Sequence, residues 1–233
     1  SIHLISNNME VIISGYGKMG KMVESVLAQR GITLAMATED VLSVPHDIAS
    51  RCVCIDFTTP DAICNNYPFL AKHFKAVVIG TTGWNHIKDE VINCFKREGT
   101  PMIYASNFSV GVNLLFAAVD FLTQKMALTG GYSPYMIEMH HCHKLDAPSG
   151  TAKSLAEIVD RNMGGKVDIQ AVRCGEIPGI HTVGFEGTAD RITISHEAFS
   201  RMGFAQGAVE AAVIADRTEG VHEFKDLIFN SQK

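Results

Sequence analysis

The stretch that most constrains the fold is a short strand that runs into a glycine-rich turn and then into a helix. Glu10 to Ser14 (EVIIS) form a β-branched run, and apolar residues at helical spacing follow the hexapeptide Gly15-Tyr16-Gly17-Lys18-Met19-Gly20. The G-x-G-x-x-G fingerprint of dinucleotide-binding domains requires this context, because its glycines let the backbone reach a pyrophosphate at a helix N-terminus. The turn therefore predicts an α/β domain that binds a dinucleotide.

An acidic pair supports this prediction. Glu39 stands at the end of the second predicted strand, 19 residues after Gly20, where an acid that binds the adenosine ribose belongs. Glu39 and Asp40 together favour an unmodified 2′-hydroxyl over a 2′-phosphate, so we expect NADH to be well accepted. Lys18 and Lys21 near the turn would partly offset this preference and admit NADPH. The alternative interpretation is a tight turn followed by a surface glutamate.

The first half of the chain continues as alternating strands and helices. Further short apolar runs occupy Ile32 to Thr38, Cys52 to Phe57, Ala76 to Gly80 and Pro101 to Ala105. From Cys52 onward they alternate with helix-like segments near 60–72 and 85–98. Runs that are apolar on both faces are typical of a parallel sheet covered by helices. The pattern predicts a Rossmann-type doubly wound parallel sheet.

Two loops of this predicted sheet contain small and polar residues. Gly80-Thr81-Thr82-Gly83 follows the fourth strand, and Ala105-Ser106-Asn107-Phe108 follows the fifth. Both loops would lie at the carboxyl edge of the sheet, where ligands bind in open α/β folds. Contact with the nicotinamide and its ribose is one interpretation, and simple turn formation is the other.

After Asn107 the pattern changes to that of an α+β domain with an open mixed sheet. It predicts helices from about Val110 to Ala127 and from about Ser149 to Asn162, and strands at Tyr135 to His141, Val167 to Arg173, His181 to Glu186 and Arg191 to Ala198. From about Gly203 the chain is helical again and is expected to return to the first domain. We therefore expect a first domain of residues 1–109 and 203–233 and a second of residues 110–202. Ser1 to Asn8 fit no pattern and are set aside as a leading remnant or an alternative start.

Composition excludes several classes of function. The 20 basic and 25 acidic residues give a net charge of −5, which provides no electrostatic footprint for nucleic acid or an anionic membrane. No stretch approaches the roughly 18 apolar residues of a membrane span. The six cysteines form no C-x-x-C pair, so reduced thiols in a cytoplasmic protein are expected.

The densest group of chemically active residues is the segment 138–151 (EMHHCHKLDAPSGT), which ends a predicted strand and runs into a helix. Lys144 could supply a positive charge or a proton to a substrate, and a neighbouring imidazole could share that work. Ser149, Gly150 and Thr151 offer backbone N–H groups at the start of the helix, which is a site for a carboxylate. The segment therefore predicts an anionic substrate.

The same segment contains ligand types that metals prefer. A strand would place His140 and Cys142 on one face and His141 and His143 on the other, so one shared metal would need the strand to break there. We therefore predict no metal site. Two later arginines, Arg173 and Arg201, lie in glycine-rich contexts. Arg201 is a candidate to hold a second substrate carboxylate through a bidentate contact.

The order of these motifs resembles the dihydrodipicolinate reductase family over nearly the whole chain. The resemblance is carried by GYGKMG, IDFTTP (55–60), GTTG (80–83), SNFSVGVN (106–113), EMHHCHKLDAPSGTA (138–152), RCGEIPGIHTV (173–183) and SHEAFSRMGFAQGAV (195–209). It implies reduction of 4-hydroxy-tetrahydrodipicolinate, a small dicarboxylate, to tetrahydrodipicolinate with NADH or NADPH. It also implies a place in the diaminopimelate route to lysine and a cytoplasmic homotetramer.

The resemblance further implies roles for individual residues. His140 would be the catalytic proton donor or acceptor, His141 a substrate contact and Lys144 the proton donor. Gly150 and Thr151 would cradle a substrate carboxylate. The cofactor contacts would be Gly15 to Gly20, Glu39, Gly80 to Thr82 and Ala105 to Phe108. Asp40 stands where members that prefer NADPH often carry arginine, which implies dual cofactor use or a bias towards NADH.

Two alternatives of different classes stay open at this point. One is another two-domain dehydrogenase of amino-acid metabolism, such as diaminopimelate or aspartate-semialdehyde dehydrogenase. The latter needs a cysteine nucleophile, for which Cys142 offers weak support. The other is a nicotinamide-sensing binding protein that has lost catalysis, against which the intact His140, His141 and Lys144 argue.

Overall fold

Two units make up the chain. The structure is a computed structural model that describes residues 8–230. The first unit extends to Ser109 and resumes at Phe204, and the second is Val110–Gly203. Apart from Asn8, the leading segment set aside above lies outside the described residues. Within residues 8–230, no helix is long and apolar enough to cross a membrane.

The first unit is built on a six-stranded sheet. Its strands are β1 (Glu10–Ser14), β2 (Thr33–Thr38), β3 (Cys52–Asp56), β4 (Ala76–Ile79), β5 (Met102–Tyr104) and β10 (Val221–Glu223). They lie in the order β10-β5-β4-β3-β1-β2, and all neighbouring strands are parallel. β3 and β4 are buried at every residue, as expected for apolar runs inside a parallel sheet.

Helices follow the strands of this sheet along the chain. They are α1 (Lys18–Gln29), the single turn α2 (His46–Ala49), α3 (Pro60–His73), α4 (Lys88–Glu98), α7 (Met202–Ala215) and α8 (Phe224–Asn230). Thr59 caps α3, because its side-chain oxygen accepts a hydrogen bond from the N–H of Ala62 at 3.2 Å, and Pro60 follows at the first helical position. Buried apolar side chains of α3, α4 and the strands form the core, among them Leu70 and Phe95.

The strand order places a ligand crevice at the ends of β1 and β3. β1 pairs with β2 on one side and with β3 on the other, and Ser14 lies opposite Asp56 where β1 and β3 end. Open α/β sheets bind ligands outside the carboxyl ends of the strands at such a reversal. Because all the strands are parallel, the glycine turn after β1 and the loops after β4 and β5 leave the sheet at this same edge.

The second unit is an α+β structure with a four-stranded mixed sheet. Its elements are α5 (Val110–Thr129), β6 (Ser133–His140), α6 (Gly150–Met163), β7 (Ile169–Arg173), β8 (Ile180–Glu186) and β9 (Arg191–Glu197). The strand order is β7-β6-β8-β9; β6 and β7 are parallel and the other pairs antiparallel. Apolar residues of α5 and α6 pack on one face of this sheet to form the core. The predicted fold class is confirmed in both units.

Two features of the strands differ from the sequence predictions. β6 ends at His140, whereas the prediction extended it to His141, and Cys142 and His143 lie in the turn that follows. The edge strand Val221–Glu223 was not predicted, since it is three residues long and contains a single apolar residue. Its position depends on backbone bonds to β5, such as the one that the N–H of Met102 donates to the carbonyl of Gly220 at 3.0 Å.

Candidate active site

The glycine turn after β1 is tightly packed at two glycines and open at the third. A Cβ on Gly15 would lie 2.3 Å from the carbonyl oxygen of Phe57, and a Cβ on Gly20 would lie 2.3 Å from the carbonyl oxygen of Gly15. Around a Cβ on Gly17, nothing described lies within 4 Å. This is the division expected at a pyrophosphate site, where one glycine leaves the backbone open to the ligand and the others allow close packing.

Glu39 lies beside this turn. It directly follows β2, is exposed, and its Oε1 accepts a hydrogen bond from the backbone N–H of Tyr16 at 2.7 Å. The Asp40 carboxylate accepts a hydrogen bond from the N–H of Leu42 at 3.2 Å and so caps a 3₁₀ turn. Glu39 is therefore placed to meet a ribose hydroxyl, while Asp40 adds negative charge nearby. The turn and its acid fit a dinucleotide.

Asp56 holds the loops around this crevice together. It is fully buried at the end of β3 and accepts hydrogen bonds from the hydroxyls of Ser14 at 2.7 Å, Thr58 at 2.9 Å and Thr81 at 2.7 Å. Burial raises the pKa of Asp56, and these hydroxyls act in the opposite direction. The loop that contains Thr81 is thus fixed to the ends of β1 and β3.

Fewer side chains of the loop after β5 are accessible to a ligand than its sequence suggests. Phe108 is buried and its ring packs against that of Phe224, with 5.1 Å between the centroids. The side-chain oxygen of Asn107 accepts a hydrogen bond from the N–H of Ser109 at 2.8 Å. Ser106 is exposed and Ala105 is buried. The Phe108 side chain therefore belongs to the core, and only its backbone can face a ligand, whereas the Ser106 side chain is accessible.

In the second unit, a buried network surrounds Glu138. Met136, Glu138 and His140 alternate along β6 and point to its covered face. Arg173, at the end of β7, donates to both carboxylate oxygens of Glu138, from Nη2 to Oε1 at 2.7 Å and from Nη1 to Oε2 at 3.0 Å. Nδ1 of His140 contacts Oε2 of the same carboxylate, and the N–H of Ser149 donates to Oε1 at 3.1 Å.

His181 joins this network from β8. Its Nε2 lies 2.9 Å from the Ser149 hydroxyl, and its ring centroid lies 5.0 Å from that of His140. Burial lowers the pKa of His181 to about 4. Burial also lowers the pKa of His140, against the opposing effect of Glu138. Although burial alone would raise the pKa of Glu138, its bonds from Arg173, His140 and Ser149 hold that pKa below the usual value.

Lys144 and His141 lie beside this network in sequence. Nζ of Lys144 is 2.7 Å from Oδ1 of Asp146, and this hydrogen bond lowers the pKa of Asp146. Nδ1 of His141 is buried and accepts or donates no hydrogen bond within residues 8–230. Nε of Arg173 and Nδ1 of His181 and of His196 are buried and unpartnered in the same way among these residues.

The predicted substrate contacts Ser149 and Arg201 differ in their surroundings. The backbone N–H of Ser149 donates a hydrogen bond to Glu138. The Ser149 side chain caps α6 by accepting a hydrogen bond from the N–H of Ala152 at 3.2 Å. Gly150 is the first residue of α6, and a Cβ on Gly150 would meet nothing described within 4 Å. Arg201 is exposed in the turn before α7 and makes no ion pair with another described residue.

Two groups of potential metal ligands occur in this unit. The ligand atoms of Glu138, His140 and His181 lie within 4.8 Å of one another, but the Arg173 guanidinium already pairs with Glu138 and would repel a cation. The second group, Cys142, His143 and Glu176, is exposed. Because β6 ends at His140, the predicted alternation of Cys142 and His143 across a strand is wrong.

Glu138, Arg173 and Asp56 received no functional role in the sequence analysis. The sequence does contain a signal that the two acids, Asp56 and Glu138, are buried. Asp56 ends a run of apolar residues (CVCID), and Glu138 stands two residues before His140 on a strand, so it shares the face of that histidine. An acid on a buried strand face needs partners. No local signal pairs Arg173 with Glu138, because the two are 35 residues apart.

Solved structures of several dehydrogenases share the fold. A dipicolinate-bound dihydrodipicolinate reductase from Paenisporosarcina sp. TG-14 has a TM-score of 0.76 at 20% identity, over 94% of this chain and 99% of that one. Aspartate dehydrogenase from Thermotoga maritima has a TM-score of 0.51 at 14% identity, over 90% and 97%. Aspartate semialdehyde dehydrogenase II from Vibrio cholerae has 0.51 at 12% identity, over 90% and 99%. At these identities the likeness shows the fold alone.

Sequence comparison is more specific. Proteins named 4-hydroxy-tetrahydrodipicolinate reductase from Christiangramia forsetii and Methanocaldococcus jannaschii are 38% and 33% identical to this chain. The alignments cover 94% and 93% of this chain, and 98% and 85% of those proteins. Family models described as "Dihydrodipicolinate reductase, N-terminus" and "Dihydrodipicolinate reductase, C-terminus" match residues 9–108 and 111–228. The chain belongs to the dihydrodipicolinate reductase family.

Proposed function

We propose that this chain reduces 4-hydroxy-tetrahydrodipicolinate to tetrahydrodipicolinate, with loss of water, as an NAD(P)H-dependent oxidoreductase of lysine and diaminopimelate biosynthesis. This is the reaction of the family to which the chain belongs. One observation carries the assignment of the site: Glu138 contacts both His140 and the N–H of Ser149. A group that can transfer protons and an anion-binding helix start are therefore parts of one buried network.

The start of α6 is the proposed binding site for a substrate carboxylate. Gly150 and Thr151 are the first two residues of the helix, where the positive end of the helix dipole lies. The open space at Gly150 lets a carboxylate approach them. His141 is the proposed contact to the substrate through its buried Nδ1. Arg201, which is exposed, is proposed to hold the second carboxylate.

Lys144 is the proposed proton donor. Its Nζ lies 2.7 Å from Oδ1 of Asp146, and in the proposed reaction Lys144 gives a proton to the hydroxyl that leaves or to charge that develops on the ring. His140, whose ring is neutral near pH 7 because burial lowers its pKa, is proposed to share the proton transfers. The two residues thus form the proposed catalytic pair.

The first unit is the proposed cofactor site. We assign the pyrophosphate to the turn Gly15 to Gly20, the adenosine ribose to Glu39, and the nicotinamide half to the loops Gly80 to Thr82 and Ala105 to Phe108. A reduced nicotinamide bound there supplies the hydride. The negative charges of Glu39 and Asp40 favour NADH, since a 2′-phosphate would meet them. The open position at Gly17 supports the pyrophosphate assignment.

The test is a coupled assay with 4-hydroxy-tetrahydrodipicolinate formed in the cuvette by its synthase. Oxidation of NADH and of NADPH is followed at the nicotinamide absorbance band. We expect turnover with both cofactors and a larger kcat/KM with NADH. Folded protein that binds NADH but turns over neither cofactor would contradict the substrate assignment and favour the rival dehydrogenases. A large preference for NADPH would contradict the role given to Glu39 and Asp40.

We also propose that the chain acts in the cytoplasm as a homotetramer, with residues 1–109 and 203–233 as the dinucleotide domain and 110–202 as the substrate and tetramer domain. Exposed apolar residues of the second unit support an interface there. Ile137 and Val172 are 38% and 36% exposed on β6 and β7, and Phe121 is 63% exposed on α5. Light scattering coupled to size exclusion should give four times the 25.4 kDa chain mass; a monomer would contradict this proposal.

A further inference from the structure

Glu138 is a fully buried carboxylate whose hydrogen-bonding capacity is used within the protein. Oε1 accepts from Nη2 of Arg173 at 2.7 Å and from the N–H of Ser149 at 3.1 Å. Oε2 accepts from Nη1 of Arg173 at 3.0 Å and contacts Nδ1 of His140. The Glu138 side chain is 1% exposed. Glu138 therefore cannot contact a substrate directly, and it can influence the reaction only through the residues that it contacts.

The state of the carboxylate determines the state of the His140 ring. Arg173 holds Glu138 with two parallel N–H···O contacts, the strongest geometry for such a pair, and the net effect of its partners is to lower the pKa of Glu138 although burial opposes it. An ionised carboxylate only accepts hydrogen bonds, so Nδ1 of His140 must carry the hydrogen between them. In the neutral ring, Nε2 is then the nitrogen with the lone pair.

We propose that Glu138, held by Arg173, is a positioning residue that fixes His140 in the Nδ1–H tautomer and keeps its Nε2 open as the working nitrogen beside the start of α6. This inference rests on the proposed function, in which His140 takes part in proton transfer. Arg173 makes a further contact, since its Nη2 also donates to the carbonyl oxygen of Asp146 at 2.6 Å. The same guanidinium thus ties the loop after Lys144 to Glu138.

The surroundings of Nε2 agree with this assignment. A Cβ on Gly179 would lie 3.0 Å from Nε2 of His140, so a glycine borders that nitrogen where any side chain would cover it. The charged and titratable groups that face the ring are Glu138 on its own strand, Arg173 on β7, His181 on β8 and Lys144 in the following turn. Only Glu138 among them raises the pKa of His140; burial, Lys144 and Arg173 lower it.

The first test is Glu138→Gln, which keeps the size of the side chain and removes its charge. We expect kcat to fall about 10- to 100-fold, with KM for the substrate within about threefold, as for a group that acts on the chemical step. The limb of the kcat pH profile that belongs to His140 is identified by its loss in His140→Gln. In Glu138→Gln we expect this limb to move to lower pH, because the charge that raises the pKa of His140 is gone. Glu186→Gln is the matched control, since Glu186 pairs with Arg191 at 2.9 Å on the exposed end of the same sheet; its kinetics should match the wild type.

A second variant separates positioning from stability. Glu138→Gln leaves the Arg173 charge without its partner, which is itself destabilising. The double variant Glu138→Gln/Arg173→Gln removes both charges, and it should fold and still show the lowered kcat. An unchanged kcat and an unmoved pH limb in a folded variant would overturn the proposal.

Nitrogen-15 NMR of the histidine rings gives a readout that needs no turnover. The wild type should show His140 as the Nδ1–H tautomer, with a ring proton far downfield that is lost in His140→Gln and moved in Glu138→Gln. An Nε2–H tautomer in an enzyme with normal turnover would overturn the positioning role alone. If the protein shows the Nδ1–H tautomer but no turnover, the proposed function is refuted, whereas the inference that Glu138 sets the tautomer of His140 still holds.

Discussion

Acid should destabilise the second unit through His181. This ring is 5% exposed on β8, and burial lowers its pKa from 6.5 to about 4. Its Nε2 lies 2.9 Å from the Ser149 hydroxyl at the start of α6. Between pH 6.5 and 4, the unfolded chain therefore binds a proton at His181 that the folded chain does not bind. Stability must fall as the pH falls through this window, since the unfolded state binds more protons.

The size of this effect follows from the two pKa values. One pKa unit corresponds to about 1.4 kcal/mol, so the difference between 6.5 and about 4 amounts to about 3 kcal/mol below pH 4. About 2.5 kcal/mol of that loss should be present at pH 4.5, and essentially none at pH 7.5. This is a large part of the net stability of a typical domain.

The measurement is urea unfolding followed by far-UV circular dichroism at pH 7.5 and 4.5, for the wild type and His181→Gln. The variant should lose about 2.5 kcal/mol less on acidification than the wild type, whatever its stability at pH 7.5. His143→Gln is the control, since the His143 side chain is 72% exposed, and this variant should lose as much stability on acidification as the wild type. Equal acid losses in the wild type and His181→Gln would refute the argument that His181 is buried in its neutral form.

Other predictions concern the two proposed sites. Lys144→Ala should lower kcat at least about 100-fold with little change in substrate KM, and steady-state kinetics with a KM effect alone would place the proton donor elsewhere. Gly17→Ala should keep the melting temperature while weakening NADH binding about tenfold or more in a fluorescence titration, because its Cβ would stand in open space where the pyrophosphate is proposed. Gly207→Ala should instead lower stability by about 2 kcal/mol or more, because its Cβ would lie 1.6 Å from the carbonyl oxygen of Phe108; an unchanged thermal melt would contradict this. Glu39→Gln should raise the Kd for NADH more than the Kd for NADPH, and an equal change would remove Glu39 from the ribose site.

Local sequence was sufficient for most of the fold because most elements here are locally determined. β3 and β4 are continuous apolar runs, and α3 begins at a threonine cap followed by proline. Both signals act within a few residues, and the predicted alternation of strands and helices is confirmed. β10 had no such signal, because its single apolar residue, Val221, does not form a run. It is a strand through its pairing with β5, which is a tertiary effect that the local sequence does not contain.

The Glu138 network divides in the same way. That Glu138 and His140 share a face follows from the two-residue period of a strand and needs only the sequence. The partner of Glu138 depends on register: the parallel pairing of β6 with β7 sets Arg173 opposite His140 and Ala171 opposite Glu138. A shift of β7 by one residue would turn Arg173 to the other face of the sheet and leave a buried carboxylate uncompensated. The apolar contacts that set this register, such as those of Met136 and Ile169 with α5 and α6, therefore also determine the charge beside His140.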